Sequence, residues 1–207
     1  MPQYSAETVR AMILQSQCLS DPTNEANKPD QNSILGIIDR VRALQIDTLQ
    51  MIRRSQYIAL WSRLGDYQPE LLDDLCYGDD RRLFEYWYHA ACIIPIKEFP
   101  YRLPTMLMHR KKESRRWRSW HSDEKNVEVL QEVKDRLSNQ GPQKASNFDD
   151  HGEHRGSWWN WKPAKRALEY LYDSGQVVIA NRLKFQRVYG ISENFIEEGR
   201  LDNYLAF

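Results

Sequence analysis

Two passages of helical periodicity, each followed by a close pair of β-prone runs, predict an α+β fold rich in helix. The order helix, turn, helix and then hairpin is that of a winged helix, and here it occurs twice in tandem. The chain has 207 residues, enough for one large domain or two small ones. We read a first winged-helix unit over residues 1–118, a second over 119–197 and a tail over 198–207.

The first unit opens with "SAETVRAMILQSQCL", a helix with Ser5 as N-cap and an apolar stripe of Val9, Met12, Ile13 and Cys18. A polar loop with two prolines, "SDPTNEANKPDQN", follows. "SILGIIDRVRAL" returns to helical spacing, with Ile34, Leu35, Ile38 and Val41 on one face. "SQYIALWSRLG" is apolar, and Gly65 ends a helix or turn there. "QPELLDDLCYG" is a short one, with Pro69 in its first turn and Gly78 at its end. "LFEYWYH" and "ACIIP" supply the hairpin.

The second unit repeats the outline. "DEKNVEVLQEVKDRL" is amphipathic, and "NQGPQKASNFDD" holds turn signals and a short second helix. "KPAKRALEYLYDSG" is the third helix, from Pro163 to Gly175. "QVVIA" and "FQRVYGI", joined through a polar turn "NRLK", make the wing. Lys162, Lys165 and Arg166 on the helix, and Lys184 and Arg187 on the wing, fall where such a unit meets phosphates. A solvated basic face is the competing reading. The stretch "HRKKESRRWRSWH" can lie along a phosphate backbone with Trp117 and Trp120 available for stacking, or be a helix whose charged side faces water.

Composition narrows the class. The chain is 41% hydrophobic and 28% charged, as expected of a globular protein, and its 29 basic residues balance 29 acidic ones. Nucleic-acid binding therefore has to rest on local clusters. No apolar run reaches membrane-spanning length, no secretory pattern opens the chain, and three scattered cysteines suit a reducing compartment, so a cytoplasmic protein is expected. "HGEH" and "HAAC" each place two metal-ligand types three residues apart, but no partner pair completes a zinc set, so no metal site is expected. Phosphate-binding, dinucleotide-binding and hydrolase signatures are absent, and no cofactor is expected.

"RALQIDTLQMIRRS" places an amide and a carboxylate, Gln45 and Asp47, two residues apart among apolar neighbours. In a helix they point about 200° apart. In an extended segment they share a face while Leu44 and Ile46 anchor the other side. Such a pair can position a water molecule, the carboxylate accepting its proton and the amide orienting it. On spacing alone the stronger reading is structural, with Asp47 capping a following helix and Gln45 bonding to backbone.

"ALQIDTLQMIRRSQYIALWSRLGDY", "EYWYHAACIIP" and "WWNWKPAKRALEYLYDSGQVVIANRLKFQRVYGI" resemble, in this order, the bacterial crosslink-repair DNA glycosylases of the YcaQ/AlkZ-like winged-helix family. The resemblance covers most of residues 5–196. It implies that Gln45, Ile46 and Asp47 are the family's active-site motif in its Asp-bearing form. It implies a monofunctional glycosylase that hydrolyses the N-glycosidic bond of N7-alkylated purines, interstrand crosslinks included, in double-stranded DNA. Asp47 and Gln45 would be catalytic, and Arg53, Arg54, Ser55 and Tyr57 would contact phosphates near the lesion. His89 on the hairpin divides between a buried hydrogen bond and a DNA contact; Trp87 is expected to be structural. Trp158, Trp159 and Trp161 divide between core and stacking. Gln56 stands where many members have proline, and Ala90 where many have glutamate. Relatives are longer, with a further winged helix and a β-rich C-terminal domain. We therefore read a C-terminally truncated member, with a non-catalytic winged-helix DNA-binding protein as the alternative.

Overall fold

The computed structural model describes residues 3–20, 28–48, 50–111, 114–148 and 163–196. It divides into two compact units, 1–96 and 97–207.

In the first unit α1 (Ala6–Ser16) begins at Ser5, whose hydroxyl accepts from the Thr8 amide. Its stripe stays exposed at Val9, Met12 and Ile13, and only Cys18 beyond its end is buried. α2 (Gln31–Val41) starts from a capping box between Asp30 and Ser33 and buries Ile34 and Ile38. β1 (Leu44–Gln45) follows, then α3 (Ser55–Leu64), closed by Gly65 in the left-handed region, and α4 (Glu70–Tyr77). β2 (Leu83–Trp87) and β3 (Ala91–Pro95) form the hairpin. The sheet is antiparallel in the order β1-β3-β2. Leu44, Leu60, Leu72, Leu75, Leu83 and Ile93 are all buried, so helices and sheet share one core.

In the second unit α5 (Phe99–Arg110) and the one-turn α6 (Arg115–Arg118) precede α7 (Glu124–Gln140). β4 (Gln143–Lys144) runs directly into a short 3-10 helix, Ala145–Phe148. α8 (Pro163–Asp173), β5 (Val177–Leu183) and β6 (Gln186–Ile191) complete it. The sheet order is β4-β6-β5, again antiparallel. Each unit thus runs helix, strand, helix (a 3-10 helix in the second unit), helix and hairpin, an order consistent with the winged helix expected from sequence. The wing turn is tighter than expected from "NRLK": β5 continues through Leu183, and Lys184 and Phe185 alone make the turn.

The division at 96/97 moves residues 97–118 out of the first unit, where the sequence reading placed them. Packing explains why. Met106 of α5 lies so close to Gly175, which has φ +66°, that any Cβ there would collide with it. Arg110 donates from Nε to the Ser174 carbonyl at 2.7 Å and from Nη2 to the Gly175 carbonyl at 3.3 Å, satisfying acceptors at the end of α8. Trp117 donates to Asp173 Oδ2 at 3.0 Å. Trp117 and Trp120 are buried, at 1% and 6% exposure, so the stacking reading of that stretch fails. Arg116 is engaged with Glu169 at 3.1 Å and Asp173 at 3.4 Å. Burial holds the Glu169 carboxyl above its ordinary range, and the Arg116 guanidinium opposes that shift.

Among the described residues no helix is long and apolar enough to cross a membrane. The tail 198–207 lies outside the described residues.

Candidate active site

The chain leaves α2 at Arg42, which closes the helix with φ +73° and donates its amide to the Ile38 carbonyl. From there the backbone is extended. Leu44 stands opposite Ile93 and Gln45 opposite Cys92 in β3, and the Ile46 amide donates to the Ala91 carbonyl at 2.8 Å. Leu44 and Ile46 are buried, Gln45 is exposed and Asp47 half-buried. Of the two geometries open in the sequence, the extended one is found. Gln45 and Asp47 therefore leave the same side of the segment.

Ser55, the first residue of α3, fixes this segment from its other edge. Its Oγ donates to the Gln45 carbonyl at 2.8 Å and accepts from the Asp47 amide at 3.0 Å. The sequence reading put Ser55 against DNA. Its one hydroxyl hydrogen is instead taken up by the motif's own backbone. Arg54 reaches back in the same way, donating from Nη1 to the Thr48 carbonyl at 3.0 Å and to that of Asp47 at 3.5 Å. Arg53 is exposed.

Tyr57 turns inward. Its hydroxyl donates to Asp73 Oδ1 at 2.7 Å, joining α3 to α4. Desolvation, then the Asp73 carboxylate, pushes the phenol well above its ordinary range. Desolvation likewise raises Asp73, against the lowering effect of the hydrogen bond from Tyr57. An expected phosphate contact is thus a brace between helices.

His89 lies in the turn between β2 and β3, exposed, with Nε2 3.1 Å from Gln45 Oε1. The pairing of β1 with β3 brings these two side chains together across 44 positions of sequence. Trp87 is partly exposed at the end of β2. Of the "HAAC" pair, Cys92 is fully buried while His89 is exposed, so the two do not share a site. No cluster of three or more metal-ligating side chains occurs among the described residues. His151, His154, Trp158, Trp159 and Trp161 lie outside them.

In the second unit Lys165 and Arg166 are exposed on α8, and Lys184 is exposed at the wing turn. Arg187 lies over the Tyr172 ring at 5.1 Å. Lys162 is outside the described residues. Sequence reasoning passed over Met51 and Ile52, which stand 94% and 87% exposed between the motif and α3. Two apolar residues between Gln50 and Arg53, with no helix to bury them, were the available signal.

The arrangement sets an amide and a carboxylate on one extended segment whose backbone is bonded to Ala91 and Ser55. The structure is similar to that of the Streptomyces sahachiroi DNA glycosylase AlkZ, with a TM-score of 0.58 at 14% identity. The match covers 95% of this chain and 52% of that one, so the chain spans about half the length of that protein. The likeness is one of fold. The family model for AlkZ-like DNA glycosylases matches residues 38–204, from the end of α2 past β6. The chain belongs to the AlkZ-like DNA glycosylase family.

Proposed function

We propose that the chain is a monofunctional DNA glycosylase that hydrolyses the N-glycosidic bond of N7-alkylated purines in duplex DNA, including purines crosslinked to the opposite strand. One observation carries this reading. Gln45 and Asp47 leave one side of an extended segment that Ala91 holds at one edge and Ser55 at the other. That is preorganisation of an amide and a carboxylate before substrate arrives.

Alkylation at N7 places a positive charge on the purine. As the bond between the base and C1′ breaks, its electron pair neutralises that charge, and no general acid is needed. Asp47 stabilises the developing oxocarbenium ion and takes a proton from water. In the tautomer that carries hydrogen on Nε2, His89 donates to Gln45 Oε1, 3.1 Å away, and leaves the amide NH₂ of Gln45 to orient the water oxygen that adds to C1′. No cofactor or metal enters this chemistry. Arg53 supplies charge for phosphates beside the lesion, and Lys162, Lys165, Arg166, Lys184 and Arg187 supply it in the second unit.

The test is incubation with duplex DNA containing N7-methylguanine, read as abasic sites. Release by the wild type and its loss in Asp47→Asn is the expected result. Salt-sensitive duplex binding with every lesion intact would replace this reading with that of a non-catalytic winged-helix DNA-binding protein.

A further inference from the structure

We infer that Met51 and Ile52 form a wedge that enters the base stack beside the lesion and opens the glycosidic bond to Asp47. The inference rests on duplex DNA being the substrate and specifies how it is held.

The loop from Asp47 to Arg54 is tied at its base. Ser55 Oγ accepts from the Asp47 amide, and Arg54 Nη1 donates to the Asp47 and Thr48 carbonyls, so the loop starts and ends at one place. Residues 51–53 form the bend beyond that base. There the chain places two consecutive apolar side chains at 94% and 87% exposure, the highest of any large hydrophobic residues described. Scattered single apolar residues on a surface need no account, but a fully exposed adjacent pair on a pinned loop does. Exposed Arg53 follows directly, a cation suited to the phosphate that flanks an opened base step. Minor-groove proteins use methionine and isoleucine in this way, unstacking a step and kinking the duplex. The pair lies four and five residues past Asp47 in the same tied loop. A crosslinked purine cannot leave the helix, so local unstacking is how its C1′ becomes reachable without full extrusion.

The experiment uses the full chain and duplex DNA carrying N7-methylguanine next to 2-aminopurine. Fluorescence of the 2-aminopurine reads unstacking, anisotropy reads binding, and single-turnover kinetics read release. The wild type should raise the fluorescence on binding. Met51→Ala/Ile52→Ala, with circular dichroism and melting unchanged, should lose that rise and release base about tenfold or more slowly. Placing the lesion inside a mismatched bubble, where the stack is already open, should restore most of the lost rate. A double variant that unstacks and releases as the wild type does overturns the wedge and leaves the glycosylase reading standing. A wild type that neither binds duplex nor releases base removes both. If the double substitution instead dissociates a wild-type dimer in sedimentation and leaves the DNA signals unchanged, the pair is a contact between copies and the wedge is wrong.

Discussion

The two units share an element order and a sheet order, yet their first strands lead to different things. β1 puts Leu44 in the core and Gln45 outside, and the chain then takes residues 46–54 to reach α3. β4, Gln143 and Lys144, pairs with Val188 and Tyr189 and passes at once into the 3-10 helix that buries Phe148. The scaffold does not by itself make a site. What distinguishes the first unit is a segment that extends the strand past its pairing, and two polar side chains of α3 and its cap, Ser55 and Arg54, that tie down its backbone. The second unit uses its polar side chains Trp117, Arg116 and Arg110 in contacts with α8 and its end.

This comparison breaks first at Asp47. Asp47→Asn keeps the shape and the hydrogen-bonded backbone, and removes the carboxylate proposed as proton acceptor. Base release should fall by about 10²–10⁴-fold, with melting unchanged. Lys144→Gln, the substitution on the matching strand of the second unit, should leave the single-turnover rate at saturating enzyme unaltered. Equal losses from the two would mean that the strands are not functionally distinct.

The second unit should respond through stability instead. Gly175→Ala forces a side chain onto a left-handed backbone position and against Met106. The strain and the overpacking together should cost about 2–4 kcal/mol in urea unfolding. If Gly175→Ala unfolds at the wild-type midpoint, the packing of α5 on the end of α8 is looser than described.

Ser55→Ala probes the link between structure and chemistry in the first unit. It removes one bond to the Gln45 carbonyl and one from the Asp47 amide, at about 1–3 kcal/mol of stability. The loosened segment should also slow release by about tenfold, with duplex binding nearly unchanged. Ser55→Thr, which keeps the hydroxyl, should recover most of both. A Ser55→Ala variant that loses duplex binding and keeps its rate would return Ser55 to the phosphate-contact role read from sequence.

How much of this was legible in the sequence follows from the range of each interaction. α2 and α4 were readable because caps and 3.6-residue spacing are local, as Ile34 and Ile38 show, whereas α3 was legible only as an apolar run that Gly65 ends as a helix or turn. Both hairpins were readable from short β-prone runs lying close together. The extended course of Gln45 and Asp47 was one of two readings, because it is decided by β3, whose Cys92 and Ile93 are distant in sequence. The inward turn of Tyr57 depends on Asp73, and the burial of Trp117 on Asp173, neither of which a linear pattern reveals. α1 shows the reverse limit. Its apolar stripe is periodic, yet Val9, Met12 and Ile13 remain exposed, since periodicity says which side is apolar and not whether anything covers it.

The smallest effect should come from the hairpin tips, where the units differ again. The first unit's turn, residues 88–90, carries His89 toward Gln45 and none of its residues has a positive φ. The second unit's turn places Lys184 and Phe185 at φ +49° and +68°. A two-residue turn with both central residues left-handed favours Asn-Gly, and each ordinary side chain held there costs roughly 1–2 kcal/mol. Arg182 partly offsets this, its guanidinium lying 4.2 Å over the Phe185 ring while Nη1 donates to the Phe185 carbonyl at 2.8 Å. Lys184→Asn/Phe185→Gly removes the strain and that ring contact together, so the net gain should be about 1 kcal/mol, or about 2–4 °C in Tm. Phe185→Gly alone keeps the charge of Lys184. If Lys184 meets a phosphate, the double variant should bind duplex with a log–log salt slope shallower by about 1 than that of Phe185→Gly. Equal slopes for the two would confine Lys184 to shaping the turn and leave the phosphate contacts of this unit to α8.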